Sequence, residues 1–191
     1  MSENKTAYAI LGLLHHEPLS GYDIRKRIEG SLGYFWDAGF GQIYPTLKKL
    51  ASEGLVTSRT EKGGVRPDRK VYAITEEGRQ ELRKWLEQPS AREYVRYEIL
   101  LKLFFGSLVE PERNLATIRE FRQRYAGSLK TLEEYARQLR RVLPESPDHL
   151  YHLLTVLFGL RVYRAYLDWA DEASELLHRL EGGVLHEAST R

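Results

Sequence analysis

GQIYPTLKKLASEGL, residues 41–55, is the stretch on which the reading of the chain turns. At 100° per residue Ile43, Leu47 and Leu50 fall in one narrow arc, the spacing of a helix that buries a single stripe. The opposite arc carries Gln42, Pro45, Lys48, Lys49 and Ser52, with Tyr44 on its shoulder. Amide, phenol and ammonium groups are the types that read base edges and hold phosphates. Pro45 fits only a first turn, where the N–H that proline lacks has no intrahelical partner. The helix must therefore begin near Gly41, and Gly54 supplies a left-handed stop before Leu55 and Val56 open a strand. The plainer alternative is an ordinary amphipathic helix with a solvated lysine face. The flanking segments decide between the two.

Upstream, Ala7, Ile10, Leu11 and Leu14 mark a first helix that Pro18 closes. Ser20-Gly21-Tyr22-Asp23 matches a capping box, and Ile24 and Ile28 give the second helix its buried face until Gly30 and Gly33 end it. Downstream the period changes to two. Val56–Thr60 and Lys70–Ile74 read as strands, with Tyr72 and Ile74 on one face. Gly63-Gly64 and Arg66-Pro67-Asp68-Arg69 make a basic, turn-rich tip between them. Thr75 caps a fourth helix whose apolar stripe is Leu82, Trp85 and Leu86. Three helices, a basic hairpin and a fourth helix form the order of a winged helix-turn-helix, in which the third helix enters the major groove.

Gln88-Pro89-Ser90-Ala91 breaks the pattern, so residues 1–88 are expected to be the DNA-binding domain and residues 89–191 a helical domain for dimerisation and effector binding. Tyr97–Phe105 is apolar nearly all round and is expected to be buried on several sides. Glu110-Pro111-Glu112 opens a long helix. Leu115, Ile118, Arg122, Tyr125, Leu129, Leu132, Ala136 and Leu139 alternate along it in steps of three and four. After Pro144 and Pro147 a last helix carries Leu150, Leu153, Leu154, Leu157, Leu160 and Leu167. So much apolar surface in one small helical half predicts a homodimer interface, a closed monomeric bundle being the alternative.

Composition bounds the rest. The 191 residues carry a formal net charge of +2, 29% charged and 42% hydrophobic side chains, and no cysteine. Disulfides, thiol nucleophiles and thiolate metal sites are excluded. The balanced total hides a bias. Residues 41–70 hold seven Lys or Arg against three acids, whereas residues 92–191 hold fifteen of each. Positive charge is thus concentrated beside the third helix. No membrane span or leader pattern is present, and the cytoplasm is the expected location. With no glycine-rich phosphate loop, nucleophile elbow or metal triad, neither an enzyme nor a cofactor is expected. His149 and His152, near Glu145, read as helix-surface histidines and not as a metal site.

Tyr8-Ala9-Ile10-Leu11-Gly12-Leu13-Leu14, Ser20-Gly21-Tyr22-Asp23-Ile24 and Gly41-Gln42-Ile43-Tyr44-Pro45-Thr46-Leu47, continuing through Glu53-Gly54-Leu55-Val56, Tyr72-Ala73-Ile74-Thr75 and Gly78-Arg79, resemble the PadR-like transcriptional regulators. The helical remainder resembles the C-terminal dimerisation domain of the long members, also named for a virulence activator. The resemblance implies a mainly α protein with a small two-stranded β wing, acting as a homodimeric repressor on a pseudo-palindromic operator. It also implies release by a small aromatic or phenolic effector. The hairpin tip departs mildly, since Pro67 and Asp68 interrupt its basic run.

The expected DNA-contacting residues are Tyr22, Gln42, Tyr44, Pro45, Thr46, Lys48, Lys49, Arg66, Arg69 and Lys70. Gln42 would offer its amide to a base edge, adenine most naturally, while Lys48 and Lys49 would hold phosphates. Tyr22 and Tyr44 would contact phosphate or sugar. Arg66, Arg69 and Lys70 belong to the wing. Arg161 and Arg164, with Tyr163 and Tyr166 close in sequence, are candidate anchors for the anionic group of an effector, although Arg164 is also placed to pair with Asp168 at i, i+4. Trp85 is a further effector candidate. The competing function is a winged-helix adaptor that binds a protein partner instead of DNA.

Overall fold

The computed structural model describes residues 5–36, 39–62, 68–93 and 95–181. Two units divide the chain, Met1–Arg92 and Glu93–Arg191. The first comprises α1 (Lys5–His16), β1 (Leu19–Ser20), α2 (Gly21–Arg27), α3 (Ile43–Ser52), β2 (Val56–Glu61), β3 (Arg69–Ile74) and α4 (Glu76–Leu86). Ile10, Leu11 and Leu14 of α1, Ile24, Ile28, the α3 stripe Ile43, Leu47 and Leu50, and Val56, Tyr72, Ile74 and Leu82 close one core. Each of these aliphatic side chains contributes about 1.5–3 kcal/mol by leaving water.

The ends of α3 follow from its residues. Phe40–Gln42 forms a single 3-10 turn, so Pro45 is the third residue of the α-helix proper, where its missing N–H leaves no bond unmade. At the other end Gly54 adopts φ +73°. The Leu55 N–H bonds Leu50 O at 2.9 Å and the Gly54 N–H bonds Ala51 O at 3.2 Å, the paired closure of a helix through a left-handed residue. Helix α4 docks on this corner. Thr75 Oγ1 accepts from the Gly78 N–H at 3.0 Å and donates to Gly54 O at 2.8 Å. A Cβ on Gly78 would lie 2.2 Å from Leu55 O, so no larger residue allows the approach.

The expected two-stranded wing is present as β2 and β3, and a third strand, β1, pairs with β3. The antiparallel order of the sheet is β1-β3-β2, with Leu19 opposite Tyr72 and Val56 opposite Ile74. A strand of two residues, the second of them the first of a capping box, shows no two-residue period, which is why β1 escapes a reading by pattern. Ser20 serves twice, as a strand residue in extended conformation and as the cap of α2. Helix α2 runs on through a π-helical turn, Ile28–Leu32. Leu86, expected in the buried stripe of α4, is exposed, whereas Trp85 stacks on Tyr8 at 4.5 Å.

The second unit consists of α5 (Glu98–Phe104), α6 (Pro111–Val142) and α7 (Pro147–Glu181). Helices α6 and α7 form an antiparallel hairpin, joined across its length by Val142 to His149, Glu133 to Arg164 and Arg122 to Asp171. Its seam buries Leu115, Ile118, Phe121, Leu132 and Ala136 against Leu153, Val156, Leu160, Tyr163 and Ala170. Phe121 replaces Arg122 in the expected seam. A step of three or of four from Ile118 reaches one or the other, and the aromatic ring is the one that can be buried without a partner. Helix α5 overturns an expectation more sharply, because none of its residues is buried and Phe104 is 82% exposed. Among the described residues only Ile99 and Leu103 of this helix are even partly covered. Among the described residues no helix is long and apolar enough to cross a membrane.

Candidate nucleic-acid interface

Gln42, capping α3 from the 3-10 turn, and Tyr44, Pro45, Lys48 and Lys49 on its outer face are all exposed. Thr46 departs from the expected set. At 2% exposure it lies on the core side of the helix, beside Leu47 and out of reach of a groove. Helical geometry explains this, since residue 46 follows Ile43 by three positions and precedes Leu50 by four.

Tyr44 is held in place by α2. A Cβ on Gly21 would come 2.6 Å from Cε1 of the Tyr44 ring, so glycine at the first residue of α2 makes the seat on which the ring lies. The ring stays 58% exposed, and the neighbouring Tyr22 is 67% exposed. The capping box fixes this corner. Asp23 N–H bonds Ser20 Oγ at 3.2 Å, and Ser20 Oγ donates to Asp23 Oδ2 at 2.7 Å. That hydrogen bond, with help from Arg69 and Arg27, holds the Asp23 carboxyl below the ordinary aspartate value. Beneath the corner, burial and then the nearby Tyr44 push the Tyr72 phenol up. Two exposed phenols and the α3 amide and ammonium groups thus share one surface.

The wing is less free than its charge suggests. Arg69 makes a two-pronged contact with Glu61 at 2.9 and 3.0 Å and comes within 3.9 Å of Asp23. Arg59 reaches the other Glu61 oxygen at 2.9 Å, and the two guanidiniums hold the Glu61 carboxyl below its usual range. Glu61 thus lies between the two arginines, one carboxylate oxygen on each. Both arginines are exposed and Glu61 is partly so, which makes these weak surface pairs. Lys70 places its ammonium 5.5 Å over the Tyr72 ring. Lys49 pairs with Glu53 at 3.6 Å. Arg66 lies outside the described residues, as do Gly63, Gly64 and Pro67 of the expected tip. Gly21 and Glu61 were missed by sequence reasoning. The register Glu61 to Arg69, deducible once the strands are paired, was the available signal for the second.

The effector candidates separate. Trp85 stacks within the first unit. Arg164 pairs with Glu133 at 3.0 Å across the hairpin instead of with Asp168. A groove of about 350 Å³ runs between Arg137 and Arg140 on α6 and Arg161 and Arg164 on α7, with Leu157 and Leu160 in its wall. His149 donates its Nδ1–H to Val142 O at 2.6 Å and so fastens the turn of the hairpin.

Residues 10–84 match the transcriptional regulator PadR-like family, and residues 95–178 match the virulence activator alpha C-terminal family. The chain is 35% identical to the negative transcriptional regulator PadR of Bacillus subtilis over 178 residues, covering 90% of this chain and 97% of that one. The crystal structure of Bacillus subtilis PadR with operator DNA superimposes with a TM-score of 0.77 at 34% identity, over 90% of this chain and 98% of that one. The same protein's complex with p-coumaric acid gives 0.69 at 33% identity, over 90% and 97%.

Proposed function

The chain belongs to the PadR-like family of transcriptional regulators, and on that premise we propose that it is a homodimeric repressor of the cytoplasm that sets α3 into successive major grooves of a pseudo-palindromic operator. The exposed face of α3, with Gln42, Tyr44, Lys48 and Lys49 projecting from a buried stripe, is the observation that carries the reading. Gln42 reads a base edge, and Lys48 and Lys49 hold phosphates. Tyr22 and Tyr44 pack on the sugar-phosphate backbone, with Pro45 filling the space between them and the groove wall. Arg66, Arg69 and Lys70 touch the flanking DNA, Arg69 by exchanging Glu61 for phosphate. Residues 1–88 read DNA, and residues 89–191 pair the two copies and respond to a small aromatic or phenolic effector. The similarity to a repressor solved on its operator and with p-coumaric acid supports both halves.

A mobility-shift titration against the chain's own upstream region tests this. With roughly six to ten phosphates held per dimer, affinity falls by ~10³–10⁵ between 50 and 200 mM salt. Lys48→Ala weakens binding to every duplex and lowers the salt slope by about one for each phosphate no longer neutralised. Gln42→Ala relaxes preference at one operator position only. A flat salt response, or a protein partner bound through the same face, overturns the DNA reading in favour of an adaptor.

A further inference from the structure

Gly21 opens α2, and its backbone lies against the edge of the Tyr44 ring that runs to the hydroxyl. An added Cβ would come 2.6 Å from Tyr44 Cε1, 3.2 Å from Cζ and 3.3 Å from Cδ1. Two reasons commonly hold a glycine in place, and the structure separates them. The first is conformation. Among the described residues only Gly39 and Gly54 are glycines with positive φ, so the backbone at Gly21 is one that other residues adopt without strain. The second is space. The three atoms nearest to an added Cβ all belong to the Tyr44 ring. Nothing else at the start of this helix asks for glycine, since alanine is the better helix former.

The ring that takes this space adds nothing to the core. Tyr44 is 58% exposed and stands outside the cluster of buried residues. Gly78 makes the useful contrast. There the atom nearest to an added Cβ is the Leu55 carbonyl oxygen, at 2.2 Å, so that glycine joins α4 to the backbone of the fold. Gly21 faces the far end of a surface side chain, which can swing aside into water. Among the described residues the Tyr44 hydroxyl has no hydrogen-bond partner. A close approach kept for an exposed ring with an unused hydroxyl serves something outside the folded chain.

We propose that Gly21 is a positioning residue for DNA recognition, admitting the Tyr44 ring to a fixed placement from which its hydroxyl meets a backbone phosphate of the docked operator. The inference deepens the DNA reading and rests on it. Contacts to phosphate set register and orientation without reading sequence. The placement therefore counts once α3 is seated in its groove, and counts little on a duplex held loosely. Gly21 acts in this way on the ratio of specific to non-specific binding, through the side chain of another residue.

Mobility-shift titrations test this with a duplex that the parent protein selects from a random pool and with an unselected duplex of equal length. Gly21→Ala lowers affinity for the selected duplex by about tenfold for each half-site, the worth of one hydrogen bond to a charged group. Binding to the unselected duplex stays nearly unchanged. Tyr44→Phe, which keeps the ring and removes the hydroxyl, gives the same loss. In a Tyr44→Ala background Gly21→Ala changes affinity for the selected duplex by less than about twofold, because the ring it displaces is already gone. Urea unfolding finds Gly21→Ala at least as stable as the parent. Three results overturn the proposal by making the glycine a structural residue: a loss of equal size on both duplexes, a loss that persists without Tyr44, or a Gly21→Ala chain that fails to fold. Unchanged binding of the selected duplex overturns it as well, and leaves the DNA reading standing. A parent protein that selects no duplex removes the DNA reading itself, and this inference falls with it.

Discussion

Helices α3 and α5 are both short and both rich in large apolar residues, yet they treat water differently. Ile43, Leu47 and Leu50 of α3 are buried behind a polar front, whereas α5 fully buries no residue and exposes Leu100, Leu101 and Phe104. The contrast extends to the units around them. In the first, four helices and a sheet converge on one closed core. In the second, a two-helix hairpin covers one stripe and leaves Leu150, Tyr151, Leu154 and Phe158 of α7 facing outward. Exposed apolar surface of that extent marks an interaction face. The first unit closes its core within one chain and leaves a polar outer face, the one proposed to meet DNA. The second leaves apolar residues exposed in the single chain, in keeping with the proposed dimer.

Substitution at matched apolar positions breaks or sharpens that comparison. Leu47→Ala opens a cavity in a closed core and lowers stability by about 2–5 kcal/mol in urea unfolding, while Phe104→Ala changes the stability of the isolated monomer by less than about 0.5 kcal/mol. Equal losses would mean that α5 is buried by its own chain. Next in size is Phe158→Asp, which sets a carboxylate into the proposed dimer face. Sedimentation velocity should show dimer dissociation at protein concentrations about a hundredfold higher than for the parent, equivalent to about 2.7 kcal/mol. A dimer of unchanged strength would place the interface elsewhere.

Local features of both units could be read from residue order because local chemistry fixes them. The Ser20–Asp23 capping box, the first-turn Pro45, the left-handed Gly54 and the Thr75 cap each need only neighbours within a few positions. What escaped depends on tertiary approach. The seat that Gly21 makes for Tyr44 joins residues 21 and 44, and the Glu61 grip on Arg59 and Arg69 exists only once β2 and β3 are in register. Helix α5 was misread for a different reason. An all-round apolar pattern reports that a surface will be covered, not that the same chain covers it. The Phe121 and Arg122 exchange belongs to the same class, since steps of three and four are equally helical and only the partner helix chooses between them.

The smallest expected effects concern how each unit fastens its helices. Ser20 and Asp23 bond within one turn, whereas Arg122 and Asp171 bridge two helices as an exposed pair. Both carboxyls sit below the ordinary aspartate value of 3.8. A carboxyl so depressed stabilises the fold above its unfolded value, and that contribution disappears as pH falls through the lower folded value. Each anchor therefore holds at neutral pH and fails only below about pH 4. Salt separates them. Ser20→Ala loses a cap at a cost of about 1 kcal/mol, and the loss persists at high ionic strength because hydrogen bonds to the backbone carry it. Asp171→Asn removes a screened surface pair, so its smaller effect should vanish near 1 M salt, where the Debye length is about 3 Å. Urea titrations of both variants at low and high salt make the check. If the Asp171→Asn loss survives high salt, the α6–α7 bridge is shielded from solvent, and the second unit is more nearly closed on its own than its exposed apolar face implies.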